Sequence, residues 1–127
     1  LLVIAGLTKT AAGFNFDGYA KGGLVVTVPA GWTLHVVFRN AGVLPHSLMV
    51  VPWSTKATAI DPKPAFAGAT TALPYRGDAK GGHGQLRFRG LNPGRSRRIC
   101  AVLGHGAAAQ RDPFVINEGR HYGDSPA

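Results

Sequence analysis

Turn-forming residues punctuate this chain so often that little room is left for a long helix: of 127 residues, eighteen are glycine and nine are proline. Proline removes a backbone donor and glycine forfeits conformational entropy in a helix, so the short apolar runs between them read as strands. These runs fall at residues 1–7, 24–28, 33–39, 47–52, 85–89, 97–102 and 113–117, with turn signals such as Lys21-Gly22-Gly23, Pro29-Ala30-Gly31 and Asn92-Pro93-Gly94 between them. In Leu34-His35-Val36-Val37-Phe38-Arg39 the residues Leu34, Val36 and Phe38 share one face, while His35 and Arg39 fall on the other. That alternation is the period of a strand with one side on a core. About seven to eight such strands in a chain of this size predict an all-β Greek-key sandwich, a single domain over residues 1–127. Residues 53–84 break the rhythm with three prolines and the run Lys80-Gly81-Gly82-His83-Gly84. A loop that long either caps one end of the sandwich or is a surface excursion.

Fourteen Lys+Arg against six Asp+Glu give a formal charge of +8. A basic surface suits nucleic acid, anionic lipid or an acidic protein. No nucleic-acid-binding motif or base-stacking platform accompanies the charge, so nucleic acid is not expected as a partner. Arg87, Arg89, Arg95, Arg97, Arg98 and Arg111 form a cluster in sequence that either steers docking to an acidic cytochrome or oxidase or is simply outward strand charge. Few carboxylates leave little stability to lose by protonation, which fits an acidic environment as well as a base-composition bias toward arginine. No apolar run approaches the roughly 20 residues of a membrane span. Residues 1–7 lack the charged flank of an export signal, so a signal or membrane anchor would have to lie upstream of this sequence. There is no Ser/His/Asp set and no carboxylate pair, which points away from an enzyme.

The one cysteine, Cys100, has no partner for an internal disulfide. It begins Cys100-Ala101-Val102-Leu103-Gly104-His105, and a second histidine lies in Pro45-His46-Ser47. One thiolate and two imidazoles with a weak fourth donor are the ligand set of a mononuclear blue-copper site, which holds one ion that alternates between Cu(I) and Cu(II). In a sandwich, His46 at the start of a strand meets a loop carrying Cys100 and His105. The spacing from Cys100 to His105 continues, after four more residues, to Gln110, and a glutamine oxygen is an alternative fourth ligand to methionine. As a harder donor it favours Cu(II) and lowers the reduction potential. The remaining histidines read otherwise: His35 outward on a strand, His83 and His121 on exposed loops. Trp32 and Trp53 read as packing aromatics.

Phe14-Asn15-Phe16-Asp17-Gly18-Tyr19, Val28-Pro29-Ala30-Gly31-Trp32, Phe38-Arg39-Asn40, Pro45-His46-Ser47 and the run from Cys100 to His105 resemble, in order and over nearly the whole chain, the sulfocyanins and rusticyanins. The resemblance implies a cupredoxin fold, one copper ion, and His46, Cys100 and His105 as its ligands, with His46 buried and His105 the edge through which electrons pass. It further implies single-electron transfer outside the cytoplasmic membrane, periplasmic or anchored, with a cytochrome c or terminal oxidase as redox partner. The rival roles are an oxidase subunit, a copper carrier or a sensor. The association of this family with acidophiles favours the acidic-environment reading of the low carboxylate content. Ser47 and Asn40 are candidates for tuning the ligands from behind.

Two departures from the family pattern stand out. Where relatives run toward Gly-Met and an aromatic after the second histidine, this chain has Ala109-Gln110-Arg111, and its one methionine, Met49, follows His46 by three residues. The fourth donor is therefore Gln110, a backbone carbonyl, a rearranged loop or none. Ser96 and Arg98 occupy core-facing positions that relatives fill with an aromatic and an apolar residue. An unpaired buried guanidinium is costly, so Arg98 requires a bulge, a partner or exposure.

Overall fold

A computed structural model describes residues 2–8, 13, 15–19, 23, 25–56, 62–89, 92–102, 105 and 110–118. Seven strands are present: β1 (Leu2–Ala5), β2 (Val26–Pro29), β3 (Thr33–Asn40), β4 (Met49–Pro52), β5 (His83–Arg89), β6 (Gly94–Ile99) and β7 (Arg111–Asn117). They form a three-stranded sheet in the order β1-β3-β5 and a four-stranded sheet in the order β2-β7-β6-β4. β1 runs parallel to β3 and β2 parallel to β7, while β3–β5, β6–β7 and β4–β6 are antiparallel. Among the described residues no helix is long and apolar enough to cross a membrane.

The alternation foreseen for β3 is present: Val36, Phe38 and Asn40 are buried, and Thr33, His35, Val37 and Arg39 are exposed. Val3 and Ala5 of β1, Leu86 and Phe88 of β5, and Phe114 and Ile116 of β7 join them in one core that also contains Cys100. Phe88 meets Phe114 across the two sheets edge-to-face at 5.8 Å and stacks on Phe66 at 5.6 Å. Such aromatic pairs add about 0.5–1.5 kcal/mol each beyond their buried area.

The boundaries of β6 differ from expectation. It begins at Gly94, directly after Asn92-Pro93, and ends at Ile99 rather than running on to residue 102. Polar Arg95 and Ser96 are held in the ladder by their register with Val115 and Phe114 of β7, which apolar content alone does not reveal. Ala101 and Val102 leave the sheet because the chain turns there, with His105 N–H donating to the Val102 carbonyl at 3.0 Å.

The long segment between β4 and β5 is more than a surface excursion: it crosses one end of the sandwich and also lines a sheet edge. Ala65 N–H donates to Val50 O, Val50 N–H to Ala69 O and Thr71 N–H to Leu48 O, so the segment covers the free edge of β4. It then crosses one end of the sandwich, where Asp78 brackets His46 with two backbone hydrogen bonds of 2.7 and 3.1 Å. Covering the edge satisfies donors that would otherwise offer a template for another chain.

Candidate metal centre

Residues far apart in sequence converge where β6 ends, β7 begins and the segment preceding β4 enters the sandwich. Ser96, Arg98 and Cys100 alternate inward along β6 and its extension, so the strand period itself delivers the thiol to the interior. Cys100 N–H donates to the Gln110 carbonyl at 3.1 Å and Gln110 N–H to the His105 carbonyl at 3.0 Å. These bonds close the loop that carries thiol, imidazole and amide.

The candidate ligand atoms of His46, Cys100 and His105 all lie within 4.8 Å of one another. Cys100 Sγ is 3.4 Å from His105 Nδ1, and the two imidazole rings meet edge-on at 5.2 Å between centroids. Gln110 is fully buried beside them, with Oε1 2.8 Å from His46 Nδ1. Its Nε2 donates to the Asn15 carbonyl at 2.9 Å, and that bond turns the amide so that its oxygen, not its nitrogen, faces the histidines. His46 and Cys100 are each 1% exposed and His105 9%, so the loop histidine is the more accessible.

Burial dominates the electrostatics. It lowers His46, against the opposing bond from Gln110, and lowers His105 to about 4 with the neighbouring His46 adding to the effect. Burial also pushes the Cys100 thiol up, opposed by hydrogen bonds from Ser47 and Val102. Both imidazoles are consequently neutral at pH 7, which is the form that ligates a metal. A soft sulfur, two neutral nitrogens and an amide oxygen without a carboxylate among these donors suit copper far better than a hard cation such as calcium or magnesium.

The surrounding residues hold this set in place. Ser47 N–H donates to Cys100 Sγ at 3.3 Å, while its hydroxyl accepts from Ala101 N–H at 3.0 Å and donates to the Pro74 carbonyl at 2.6 Å. Buried Asn40 donates to the carbonyls of Leu44 and Asp78 and accepts from Gly42 N–H, pinning the loop that leads to His46. His46 Nε2, on the far side of the ring, has no hydrogen-bond partner among the described residues and faces Gly6 and Gly42. A Cβ on Gly42 would lie 3.0 Å from that nitrogen and 3.2 Å from Gly6 Cα, so both glycines are required for this approach.

Arg98 is not bulged out or exposed. It keeps its inward place and pairs with Asp112, Nη2 to Oδ2 at 3.5 Å, with Phe16 beneath the guanidinium at 5.8 Å. The expected arginine cluster is divided by the fold. Arg87 and Arg89 lie on the outer face of the three-stranded sheet, whereas Arg95 and Arg97 flank Trp53 at 4.5 and 4.2 Å beside the other. Met49 packs with Val51, Ile99 and Ala101 in a separate cluster, away from the row that carries Cys100. His35 is exposed and bonded to Gln85, His83 is exposed at the start of β5, and His121 lies outside the described residues. Sequence reasoning missed the Asn15 carbonyl, Asp112 and the Gly6–Gly42 contact. Only Asn15 lay in a motif already singled out, and a backbone carbonyl leaves no signature in residue type.

Two packed sheets with a buried His-Cys-His group at one end define a cupredoxin. Solved structures of this architecture include rusticyanin from Thiobacillus ferrooxidans, 18% identical with a TM-score of 0.68 over 92% of this chain and 77% of that one. Dithionite-reduced auracyanin from Roseiflexus castenholzii is 19% identical with a TM-score of 0.66, covering 91% of this chain and 94% of that one. The Sulfocyanin (SoxE) domain model matches residues 1–111, and sulfocyanin from Sulfolobus acidocaldarius is 30% identical over 116 residues, 85% of this chain. The chain belongs to the sulfocyanin family. It spans 58% of the length of that curated relative. Cupredoxin homologues bind one copper ion, and among the described residues His46, Cys100 and His105 are the group that fits it.

Proposed function

We propose that this protein carries single electrons between redox proteins, with His46 Nδ1, Cys100 Sγ and His105 Nδ1 as copper ligands and Gln110 Oε1 as the weak fourth donor. The observation that carries the reading is the convergence of these four buried side chains, with the Gln110 oxygen 2.8 Å from His46 Nδ1. Bound copper supplies a one-electron couple between Cu(I) and Cu(II). The chain's own residues supply the rest. Cys100 provides the covalent thiolate, and the Ser47 N–H bond draws density from its sulfur, one of the ways a protein sets a potential. Asn15 aims the Gln110 oxygen, a harder donor than a thioether, which favours Cu(II) and lowers the potential. Burial keeps water out, and the pinned loops hold the donors so that little rearrangement accompanies a change of charge.

Kinship with sulfocyanin, together with six Asp+Glu in 127 residues, supports a place in a respiratory chain outside the cytoplasmic membrane, exchanging electrons with a cytochrome c or terminal oxidase. The test is addition of Cu(II) to the metal-free protein. An intense visible thiolate-to-copper band and a type 1 EPR spectrum are expected, and Cys100→Ser abolishes both. Gln110→Met raises the potential. A wild-type protein without the band refutes the reading, and an unchanged potential in Gln110→Met removes Gln110 from the ligand set.

A further inference from the structure

We infer that the outer face of the three-stranded sheet is a docking surface for an acidic partner protein. The inference rests on the electron-carrier reading for its purpose, and on the face itself for its chemistry. Strand alternation turns His35, Val37 and Arg39 of β3 and His83, Gln85, Arg87 and Arg89 of β5 outward. The register sets His35 opposite Arg87 and Arg39 opposite His83, basic group against basic group. Neither pair sets a base against a carboxylate, so the pattern supplies no cross-strand ion pair to the fold. None of β1, β3 and β5 contains an Asp or Glu. Arg39 and Arg87 meet no carboxylate among the described residues.

Four other arginines show the contrast. Arg98 is paired with Asp112, and Arg95 and Arg97 are stacked on Trp53, with Arg97 Nε also donating to the Trp53 carbonyl. Arg89 Nε donates to the Gly31 carbonyl at 2.8 Å. Arg39 and Arg87 instead carry charge for which this sheet provides no complement. Val37, 38% exposed, sits between His35 and Arg39 and opposite Gln85, giving the face an apolar centre with a polar, arginine-bearing surround. That layout matches a protein interface, with apolar core and polar rim, and lacks the stacking platform on which single-stranded nucleic acid binds.

The face also leads to the metal centre. At its Arg39 end a depression lined by Arg39, Lys80, Ile4 and Leu7 adjoins a second one that Leu7 shares with Gly6, Gly42 and Val43. Gly6 and Gly42, which line this second depression, also pack against His46 Nε2. A partner held by the arginines and reaching into it meets the two glycines that pack against a ligand ring. Charge complementarity then orients the encounter and speeds it, in a salt-dependent manner.

The probe is poly-L-glutamate, followed by amide chemical shifts of the full chain at low and high salt. Shifts centred on β3 and β5 and lost with salt are expected. Arg39→Glu with Arg87→Glu should weaken binding about tenfold, whereas Arg95→Glu on the other sheet should change it less than about twofold. Both arginines are exposed, and circular dichroism confirms that the variants keep the fold. Shifts centred on Trp53, or equal losses in the Arg95→Glu control, overturn the assignment. Vesicles of phosphatidylcholine with phosphatidylserine provide the second arm. If the paired substitution abolishes vesicle binding while polyglutamate binding is unchanged, the face is a membrane surface and the inference fails. These measurements need no copper, so failure of docking and absence of the copper band are separate results.

Discussion

Removing Arg98 from its partner should cost this protein a large share of its stability. Arg98 and Asp112 are each 2% exposed, stand opposite one another in the β6–β7 register and approach to 3.5 Å. Asp17 adds a second favourable charge near the guanidinium. Arg98→Met leaves the Asp112 carboxylate buried without its countercharge, and Asp112→Asn leaves the guanidinium buried with Asp17 as its remaining favourable charge. Breaking a buried pair in this way costs about 3–5 kcal/mol, against the 5–15 kcal/mol that typically stabilises a domain. With a urea slope of about 1.5 kcal/mol per molar, the unfolding midpoint falls by roughly 2–3 M in either single variant. Replacing both residues together, Arg98→Met with Asp112→Leu, restores an apolar interior beside Cys100 and Phe114 and should return stability to within about 1 kcal/mol of wild type, since apolar replacement of a buried pair is often neutral or better. The assay is urea unfolding of the metal-free protein at pH 7 for all four members of the cycle. Singles that cost less than about 1 kcal/mol, or a double variant as unstable as the sum of its parts, would refute the reasoning. The outcome bears on the metal centre because this pair lies two residues behind Cys100 and Gln110, on the two strands that deliver them.

The metal-free protein should be acid-sensitive despite its few carboxylates. Burial holds His105 at about 4 from an ordinary 6.5, so below pH 6.5 the unfolded chain takes up a proton that the folded chain refuses. The stability that His105 contributes therefore falls from pH 6.5 to about 4, by on the order of 3 kcal/mol, and the burial-lowered His46 adds a loss of the same sign. Copper loading should move acid unfolding to lower pH, as followed by circular dichroism; coincident transitions with and without copper would contradict this. Ser47→Ala strands the buried Ala101 N–H and loses the bond to Pro74, and should cost about 1–3 kcal/mol in urea while the visible copper band survives through the retained Ser47 N–H bond to sulfur. Gly42→Ala places a methyl 3.0 Å from His46 Nε2 and should cost about 1–3 kcal/mol while changing the copper EPR hyperfine splitting, and an unaltered spectrum would show that the glycine backbone gives way and the ring stays in place.

Local chemistry made much of this protein legible from its residues. Strand alternation is a short-range property, so Leu34 to Arg39 revealed both a strand and its buried face, and glycine and proline marked where most strands end. The donor types were legible for the same reason: a lone cysteine with a histidine five residues on has few chemical uses. Only the tertiary structure decided what depends on register and on the reach of distant backbone. It paired Arg98 with Asp112, which no spacing links, and it set the arginines of β5 and β6 on different faces of the molecule. It also brought the Asn15 carbonyl to Gln110 across 95 residues, aiming an amide oxygen at the two histidines. Side-chain identity determines which bonds a residue can make. The packing of two sheets determines which of them are within reach.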